Sequence, residues 1–178
     1  GFGWNAYDFV DFLASCKQHY WQILPLTTTS YGDSPYQSFS ARAGNPNFID
    51  FAELIEAGYL EQCDIDGVYL GSDPSNVDYG AIFGGRRQIL DRAAERFAAD
   101  KPADFDDFVQ ANEDWLIPYC EFMTVKEECG LKAFWEWPAE LRTRGEASAK
   151  VCAAHPARML YHQMTQYFFN RQWSRLKA

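Results

Sequence analysis

The sequence predicts an α/β protein that is mostly helical and that holds only part of a larger fold. Apolar residues recur at helical spacing in about six segments. One other run, residues 20–26, is short and almost continuously apolar, which is typical of a buried strand in a parallel sheet. A single strand of this type has no neighbour to satisfy its backbone groups. At 178 residues the chain is also shorter than a complete (β/α)8 barrel, which takes about 250.

The helices are predicted from their apolar spacing and from the residues at their ends. The first is expected to begin at Asn5 as N-cap and to continue to Cys16. Asp78 is expected to cap a long helix, and Pro118 to lie in the first turn of another. Residues 63–76 and 134–138 are predicted to be connectors. The five further helices are predicted at residues 51–57, 78–97, 103–115, 116–129 and 156–176.

The charge balance excludes several classes of partner. Sixteen Lys and Arg residues stand against 25 Asp and Glu residues, a formal net charge of −9. Because nucleic acids and anionic membranes are bound through basic patches, we expect neither as a partner. The sequence has no apolar run of the roughly 18 residues that a membrane span needs. It has five cysteines and no C-x-x-C pair, so we expect a cytoplasmic protein with reduced thiols.

The sequence predicts neither a metal site nor a cofactor site. His155 and His162 are seven residues apart, whereas two zinc ligands on one helix usually stand four apart. Residues 1–6 fit G-x-G-x-x-A, but no strand precedes them, and the P-loop pattern is absent from the sequence. Asp104, Asp106 and Asp107 are explained by the helix dipole, which favours negative charge in a first turn.

The most informative segment is the long loop after the predicted strand. Residues 30–40, called here the 30s loop, read SYGDSPYQSFS. Phenol rings can lie against sugar rings while hydroxyl, amide and carboxyl groups bond to sugar hydroxyls. The same composition also suits a tightly turned loop with no ligand, in which Asp33 forms an Asx-turn and Pro35 fixes φ. Composition alone does not separate these two interpretations.

Several motifs, taken in order, resemble one enzyme family. The chain carries WQILPL at residues 21–26, the 30s loop, AGNP at 43–46, FID at 48–50, VDYG at 77–80, FWEWP at 134–138 and QW at 172–173. This series resembles the 4-α-glucanotransferases, also called amylomaltases or disproportionating enzymes. The resemblance covers essentially the whole chain.

The resemblance implies a (β/α)8 barrel of the α-amylase-like type. It implies an enzyme without a cofactor that transfers α-1,4-glucan segments between maltooligosaccharides by a retaining double displacement. Residues 1–178 are then an incomplete N-terminal part of the barrel. Residues 1–47 would supply a barrel helix, a strand and the substrate loop, and residues 48–178 a helical insertion. The family's nucleophile and acid/base carboxyl groups are expected beyond Ala178, so the chain alone is expected to be inactive.

The resemblance also assigns roles to individual residues. Ser34 and Tyr36 match positions that contact the bound glucan. Gln37 and Asp33 are weaker matches to substrate-binding positions, with shaping of the loop as the alternative role. Tyr31 matches an aromatic residue of a second glucan site. Phe83 stands where some relatives carry a tyrosine of that second site, so the stacking face is kept and a hydroxyl is lost.

Two other functions remain open at this stage. One is a non-catalytic module that binds α-glucans through the same aromatic residues. The other is a helical scaffold without sugar affinity, although it would leave the polar 30s loop unexplained. Because the predicted strand and some helices lack partners, we also expect the chain to self-associate.

Overall fold

The structure is a computed structural model that describes residues 1–30, 32–73 and 75–178. In the described ranges its regular secondary structure is helical. Short 3-10 turns form at Pro46–Phe48, Phe134–Glu136 and Ala139–Leu141. Across the described ranges there are eight α-helices: α1 (Trp4–Ser15), α2 (Phe51–Glu56), α3 (Gln62–Ile65), α4 (Tyr79–Ala99), α5 (Phe105–Ala111), α6 (Glu113–Glu128), α7 (Glu146–Ala154) and α8 (Pro156–Lys177).

The strand predicted at residues 20–26 is wrong for this structure. Within the described parts of the chain, the only β-pairing is an isolated antiparallel bridge between Thr27 and Gly44. Tyr20, Trp21, Ile23 and Leu24 are exposed rather than buried. A strand needs a neighbour to receive its backbone hydrogen bonds, and the described residues offer this segment none along its length.

The last helix, α8, is the centre of the fold. It packs against α4, α5, α6 and α7. Phe168 and Met164 of α8 share one apolar core with Phe97 of α4 and Phe105 of α5. The Phe97 ring stands edge-on to those of Phe105 and Phe168, with centroids 4.9 and 5.9 Å apart. A helix surrounded by others is expected to be buried on most sides, and residues 164–169 in the middle of α8 are all buried.

Some helix ends follow the prediction and others do not. Asp78 caps α4, since its Oδ1 accepts a hydrogen bond of 2.9 Å from the N–H of Ala81. Gly130, with φ +66°, follows the end of α6 in the left-handed conformation that favours glycine. The N-cap predicted at Asn5 is wrong, because Gly3 holds that position and its carbonyl accepts from Ala6 at 2.8 Å.

The remaining differences concern short or weakly patterned helices. α6 begins at Glu113, so Pro118 lies inside the helix rather than in its first turn. α3 lies within the predicted connector, because four residues are too few to show a helical period. α7 is rich in alanine and has few large apolar residues, so its sequence gives little periodic signal. In the described ranges, no helix is long and apolar enough to cross a membrane.

Candidate functional site

The candidate site lies on a long loop whose two ends, residues 26–28 and 43–45, lie side by side. At its base the N–H of Thr28 donates to the carbonyl of Ala43 at 3.1 Å, and the N–H of Asn45 donates to Leu26 at 2.8 Å. These bonds flank the bridge between Thr27 and Gly44. The loop between them is therefore closed at its base by backbone hydrogen bonds.

Further bonds pair the two arms of the 30s loop. The N–H of Ser30 donates to the carbonyl of Gln37 at 3.0 Å. Nearer the base, the hydroxyls of Thr28 and Ser38 are 3.2 Å apart. The Ser38 hydroxyl also donates to the carbonyl of Ser40 at 2.7 Å. Beyond the Ser30–Gln37 bond lies the tip, which carries the predicted glucan contacts.

The tip is made of tight turns. The N–H of Asp33 donates to Ser30 at 3.1 Å, and both Gly32 and Asp33 have positive φ, +88° and +55°. Glycine adopts this region without steric cost, and aspartate tolerates it better than most residues. A second turn follows, in which the N–H of Gln37 donates to the carbonyl of Ser34 at 3.1 Å. Pro35 stands second in this turn, where its fixed φ fits.

The structure brings Ser34 and Tyr36 together at this tip. Ser34 Oγ accepts a hydrogen bond of 3.3 Å from the N–H of Tyr36. The Tyr36 side chain is 75% exposed, and Asp33 and Gln37 are exposed beside it. The tight turns of the second interpretation are thus present, but the Asx-turn predicted at Asp33 is wrong. Residue 35, two positions on, is a proline without an N–H, and the side chain that accepts a backbone N–H here is that of Ser34. The turned loop leaves the Tyr36 ring exposed to a ligand. Tyr31 lies outside the described residues.

Phe83 belongs to a different element from the other predicted residues. It lies in the second turn of α4 and its ring is largely exposed, as is that of Tyr79 one turn earlier. Exposed aromatic rings are suitable for stacking on a sugar. Its assignment to a second glucan site stays a prediction.

The loop is supported from below by Phe39. Its ring lies 5.9 Å from that of Phe122 in α6, and the ammonium of Lys126 is 4.9 Å from the Phe39 ring. That ammonium also donates to the carbonyls of Leu131 and Lys132, at 3.1 and 2.8 Å. Burial lowers the pKa of Lys126. The two carbonyls stabilise its ammonium group by accepting hydrogen bonds from it. Phe39 therefore anchors the loop to α6 instead of offering its face to a ligand.

Two glutamines of α8 contact the backbone near the loop, and the sequence analysis missed both. Gln166 makes two hydrogen bonds to Gly44, and Gln172 makes two to Asp50. The helix also carries the amide side chains of Gln163 and Asn170, and no sequence signal distinguishes the two glutamines that reach the backbone near the loop. Nor does the sequence identify the backbone groups they meet, which lie 122 residues earlier.

A partly buried ion cluster joins α4, α6 and α8. The carboxylate of Glu127 lies 2.6 and 3.0 Å from Nε and Nη2 of Arg158, 3.1 Å from Arg87 and 3.2 Å from His162. Burial raises the pKa of Glu127, but the contacts with His162 and Arg158 outweigh burial and lower this pKa to about 2. Burial lowers the pKa of His162. The paired charges fasten three helices together.

His155 and His162 each contact a carboxylate rather than each other. His155 Nε2 lies 3.1 Å from Glu128, while His162 faces Glu127. In the part of the chain that the structure describes, no group of three potential metal ligands comes together. The aspartates before α5 are also structural, because Asp104 accepts a hydrogen bond from the Tyr167 hydroxyl at 2.8 Å. Asp106 and Asp107 lie in the first turn, as predicted.

Comparison with known proteins decides the family. Residues 1–178 match the family model described as 4-alpha-glucanotransferase. The chain belongs to the 4-alpha-glucanotransferase family. The resemblance to this family that the sequence indicated is therefore confirmed.

Individual members of the 4-alpha-glucanotransferase family are close in sequence and in structure. The enzyme of Streptococcus pneumoniae is 51% identical over 180 residues, and that of Thermus thermophilus is 38% identical over 181. Each alignment covers 99% of this chain, but 36% and 35% of the relative. The amylomaltase of Streptococcus agalactiae, solved in complex with acarbose, matches with a TM-score of 0.92 at 46% identity, over 99% of this chain and 36% of its own. The chain thus spans about a third of the length of its relatives.

Proposed function

We propose that residues 1–178 act as the N-terminal part of a 4-α-glucanotransferase, which moves α-1,4-glucan segments between maltooligosaccharides. The observation that carries this proposal is the structural match to an amylomaltase across 99% of the chain. A TM-score of 0.92 at 46% identity means that the same elements lie in the same arrangement. The acarbose in that relative is a sugar-like ligand, in keeping with a glucan substrate here.

In this proposal the chain is one part of a (β/α)8 barrel of the α-amylase-like type. Residues 1–47 supply a barrel helix, the segment that becomes a strand once it has neighbours, and the substrate loop. Residues 48–178 form a helical insertion. The exposed aliphatic and aromatic side chains of residues 20–24 support this assignment, because a barrel strand would bury them against adjacent strands.

The 30s loop supplies substrate contacts in the proposed enzyme. The exposed phenol of Tyr36 lies against a glucose ring, and the hydroxyl of Ser34 bonds to a sugar hydroxyl. Asp33 and Gln37 shape the tip, while Tyr31 and Phe83 contribute to a second glucan site. These contacts favour transfer over hydrolysis by holding the acceptor sugar in line and excluding water.

The covalent chemistry is assigned to carboxyl groups outside these 178 residues. Retaining transfer uses two of them, about 5–5.5 Å apart. One attacks the anomeric carbon, and the other protonates the leaving oxygen and then deprotonates the acceptor hydroxyl. The chain's own contribution is to bind and orient the glucan.

A hybrid enzyme tests this proposal. In it, residues 1–178 replace the matching 180 residues of the Streptococcus pneumoniae 4-alpha-glucanotransferase. We expect the hybrid to convert maltotriose into glucose and longer maltooligosaccharides, whereas the 178-residue chain alone should not. A folded hybrid without transfer activity would contradict the proposal. If that hybrid nevertheless bound maltoheptaose, the result would favour the alternative function, a non-catalytic module that binds α-glucans.

Tyr36 gives a sharper test within the hybrid. Tyr36→Ala should weaken maltoheptaose binding and lower the ratio of transfer to hydrolysis, while Tyr36→Phe keeps the stacking face and should change binding less. Tyr69→Ala is the matched control, because Tyr69 is also an exposed tyrosine but lies outside the 30s loop. An unchanged affinity and an unchanged ratio in Tyr36→Ala would remove Tyr36 from the site.

A further inference from the structure

The base of the substrate loop has backbone groups that its own pairing leaves unused. In the antiparallel bridge, hydrogen bonds run from Thr28 to Ala43 and from Asn45 to Leu26. Thr27 and Gly44 are therefore a non-hydrogen-bonded pair, whose own N–H and C=O groups point away from each other. For Gly44 these two groups are buried, so each needs a partner elsewhere.

The side chain of Gln166 supplies both partners. Its Oε1 accepts from the N–H of Gly44 at 2.7 Å, and its Nε2 donates to the carbonyl of Gly44 at 2.9 Å. One amide thus takes the place that the backbone of a third strand would take. Gln166 is 1% exposed, so water does not compete for these bonds.

Packing around Gly44 fixes the same contact. A β-carbon at residue 44 would lie 2.2 Å from the ring of Phe169, which is one turn beyond Gln166 on α8. Only glycine therefore lets the loop base approach α8 closely enough for Gln166 to reach both backbone groups. Two side chains of α8 therefore hold the loop base in one position: the Phe169 ring by packing and Gln166 by two hydrogen bonds.

We propose that Gln166 is a positioning residue that sets the orientation of the 30s loop, and through it the affinity for glucan. This inference rests on the proposed function. Among the described residues, the side-chain hydrogen bonds of Gln166 go to Gly44 at the loop base. The hydrogen bonds from Thr28 to Ala43 and from Ser30 to Gln37 carry the position of the base to the tip. Loss of these two hydrogen bonds of Gln166 leaves the buried N–H and C=O of Gly44 without partners. Because that is unfavourable, we expect the loop base to shift until water reaches both groups.

Gln172 provides a matched control in the same helix. Its side chain makes the same double contact with Asp50, at 2.7 and 3.0 Å, and it is 3% exposed. Both glutamines reach back 122 residues. Gln172, however, holds the residue that caps α2, six positions beyond the loop base. Its loss should destabilise the fold to a similar degree without disturbing the 30s loop.

The first experiment compares Gln166→Ala with Gln172→Ala in the 178-residue chain by amide hydrogen exchange. We expect Gln166→Ala to speed exchange in peptides covering residues 28–45, and Gln172→Ala to speed it around residues 48–56. The second experiment measures maltoheptaose binding and transfer kinetics in the hybrid. Gln166→Ala should weaken binding and raise KM about ten-fold with a smaller change in kcat, whereas Gln172→Ala should change KM less than about two-fold.

A charged replacement gives a readout that lost stability alone does not produce. In Gln166→Glu the ionised carboxylate accepts from the N–H of Gly44 but repels its carbonyl, whereas the protonated acid donates to that carbonyl. Burial raises the pKa of the introduced carboxyl group. Glucan affinity of Gln166→Glu should therefore recover as pH falls from 8 to 5.5, and Gln172→Glu should show no such recovery. This variant also decides the question if Gln166→Ala does not fold.

The outcomes separate the two proposals. Equal effects of the Gln166 and Gln172 variants on exchange in the 30s loop and on KM would overturn the positioning role. An unmodified hybrid that folds but neither binds nor transfers glucan would instead contradict the proposed function. In that case exchange in the 178-residue chain still decides whether Gln166 holds the loop.

Discussion

Two regions of this chain have similar helical patterns and opposite surroundings. In the helical body, residues 48–178, large side chains such as Phe97, Phe105 and Phe168 are fully buried. In α1, none of the residues from Trp4 to Ser15 is buried, and Phe12 is 58% exposed. The spacing of apolar residues predicts a helix in both regions, but burial requires a partner surface, which only the body has within these residues.

The exposed region is nevertheless attached at both ends. Before α1, Phe2 is buried and stacks on Phe48 and Trp173, with centroids 5.7 and 5.5 Å away. After it, the bridge at Thr27 joins the segment to the loop base. Between these points the Phe9 ring packs on the rings of Phe12 and Trp21 and is itself 42% exposed. Such an arrangement suits a segment whose other side is covered by further barrel strands, as the proposed function requires.

The largest expected effect distinguishes the two regions directly. Phe97→Ala removes a side chain that is 0% exposed and should lower the free energy of unfolding by about 3–5 kcal/mol. Phe12→Ala makes the same chemical change in α1 and should cost less than about 0.5 kcal/mol. Urea unfolding followed by circular dichroism measures both. Similar losses in the two variants would mean that α1 is packed as firmly as the body.

The partly buried ion cluster gives the next largest effect. Glu127→Ala leaves Arg87 without this carboxylate and Arg158 with that of Asp91, and because the cluster is partly buried we expect a loss of about 2 kcal/mol at pH 7. Glu128→Ala is the control, because the neighbouring Glu128 is exposed and contacts the partly exposed His155. Thermal unfolding of the two variants should differ clearly, and equal midpoints would contradict a structural role for the cluster.

Acid should weaken the body through the same cluster. The folded-state pKa of Glu127 is lowered to about 2 from an ordinary 4.5, so its stabilisation is present above pH 4.5 and is lost as pH falls towards 2. The pKa of His162 is lowered from 6.5, so below that pH the unfolded chain takes up a proton that the folded chain resists. Stability should therefore fall below about pH 6.5. A profile that is flat from pH 7 to 3 would exclude both contributions.

The sequence predicts the body better than it predicts the exposed region, for a physical reason. The helices at residues 51–57, 78–97 and 156–176 lie close to the observed α2, α4 and α8, because helical hydrogen bonds are local and apolar spacing reports the face that packs. The strand at residues 20–26 failed because a strand is defined by its neighbours. Local pattern alone does not supply them.

In the candidate site, too, the sequence predicts the local features better than the long-range contacts. The loop and its turns follow from Gly32, Asp33 and Pro35, whose conformational preferences are local. The contact that holds the loop base does not, because Gln166 meets Gly44 only after the chain has folded back over 122 residues. A buried amide needs a polar partner, but the sequence of α8 shows neither that Gln166 is buried nor which partner it meets.

Self-association is the fourth expected effect and concerns the exposed region alone. At about 100 μM the chain should scatter light as more than a single 20.4 kDa unit, because α1 presents Trp4 and Phe12 to solvent. The double change Trp4→Lys with Phe12→Lys should weaken association about ten-fold or more. Tyr69→Lys, which changes an exposed aromatic residue of the body, should leave association unchanged. A chain that stays monomeric at every concentration would contradict this expectation.

The smallest expected effect comes from a surface ion pair that bridges the loop and the body. Arg42 Nη1 lies 2.8 Å from Asp114 Oδ2, and the two side chains are 61% and 66% exposed. A double-mutant cycle with Arg42→Ala and Asp114→Ala should give a coupling within about 0.5 kcal/mol that disappears in 1 M salt. The partly buried pair of Glu127 and Arg158 should keep most of its coupling in the same salt. If the exposed pair proved as strong as the partly buried one, the loop would be held to the body by surface charge as well as by Gln166, and the effect of Gln166→Ala on glucan affinity would be correspondingly smaller.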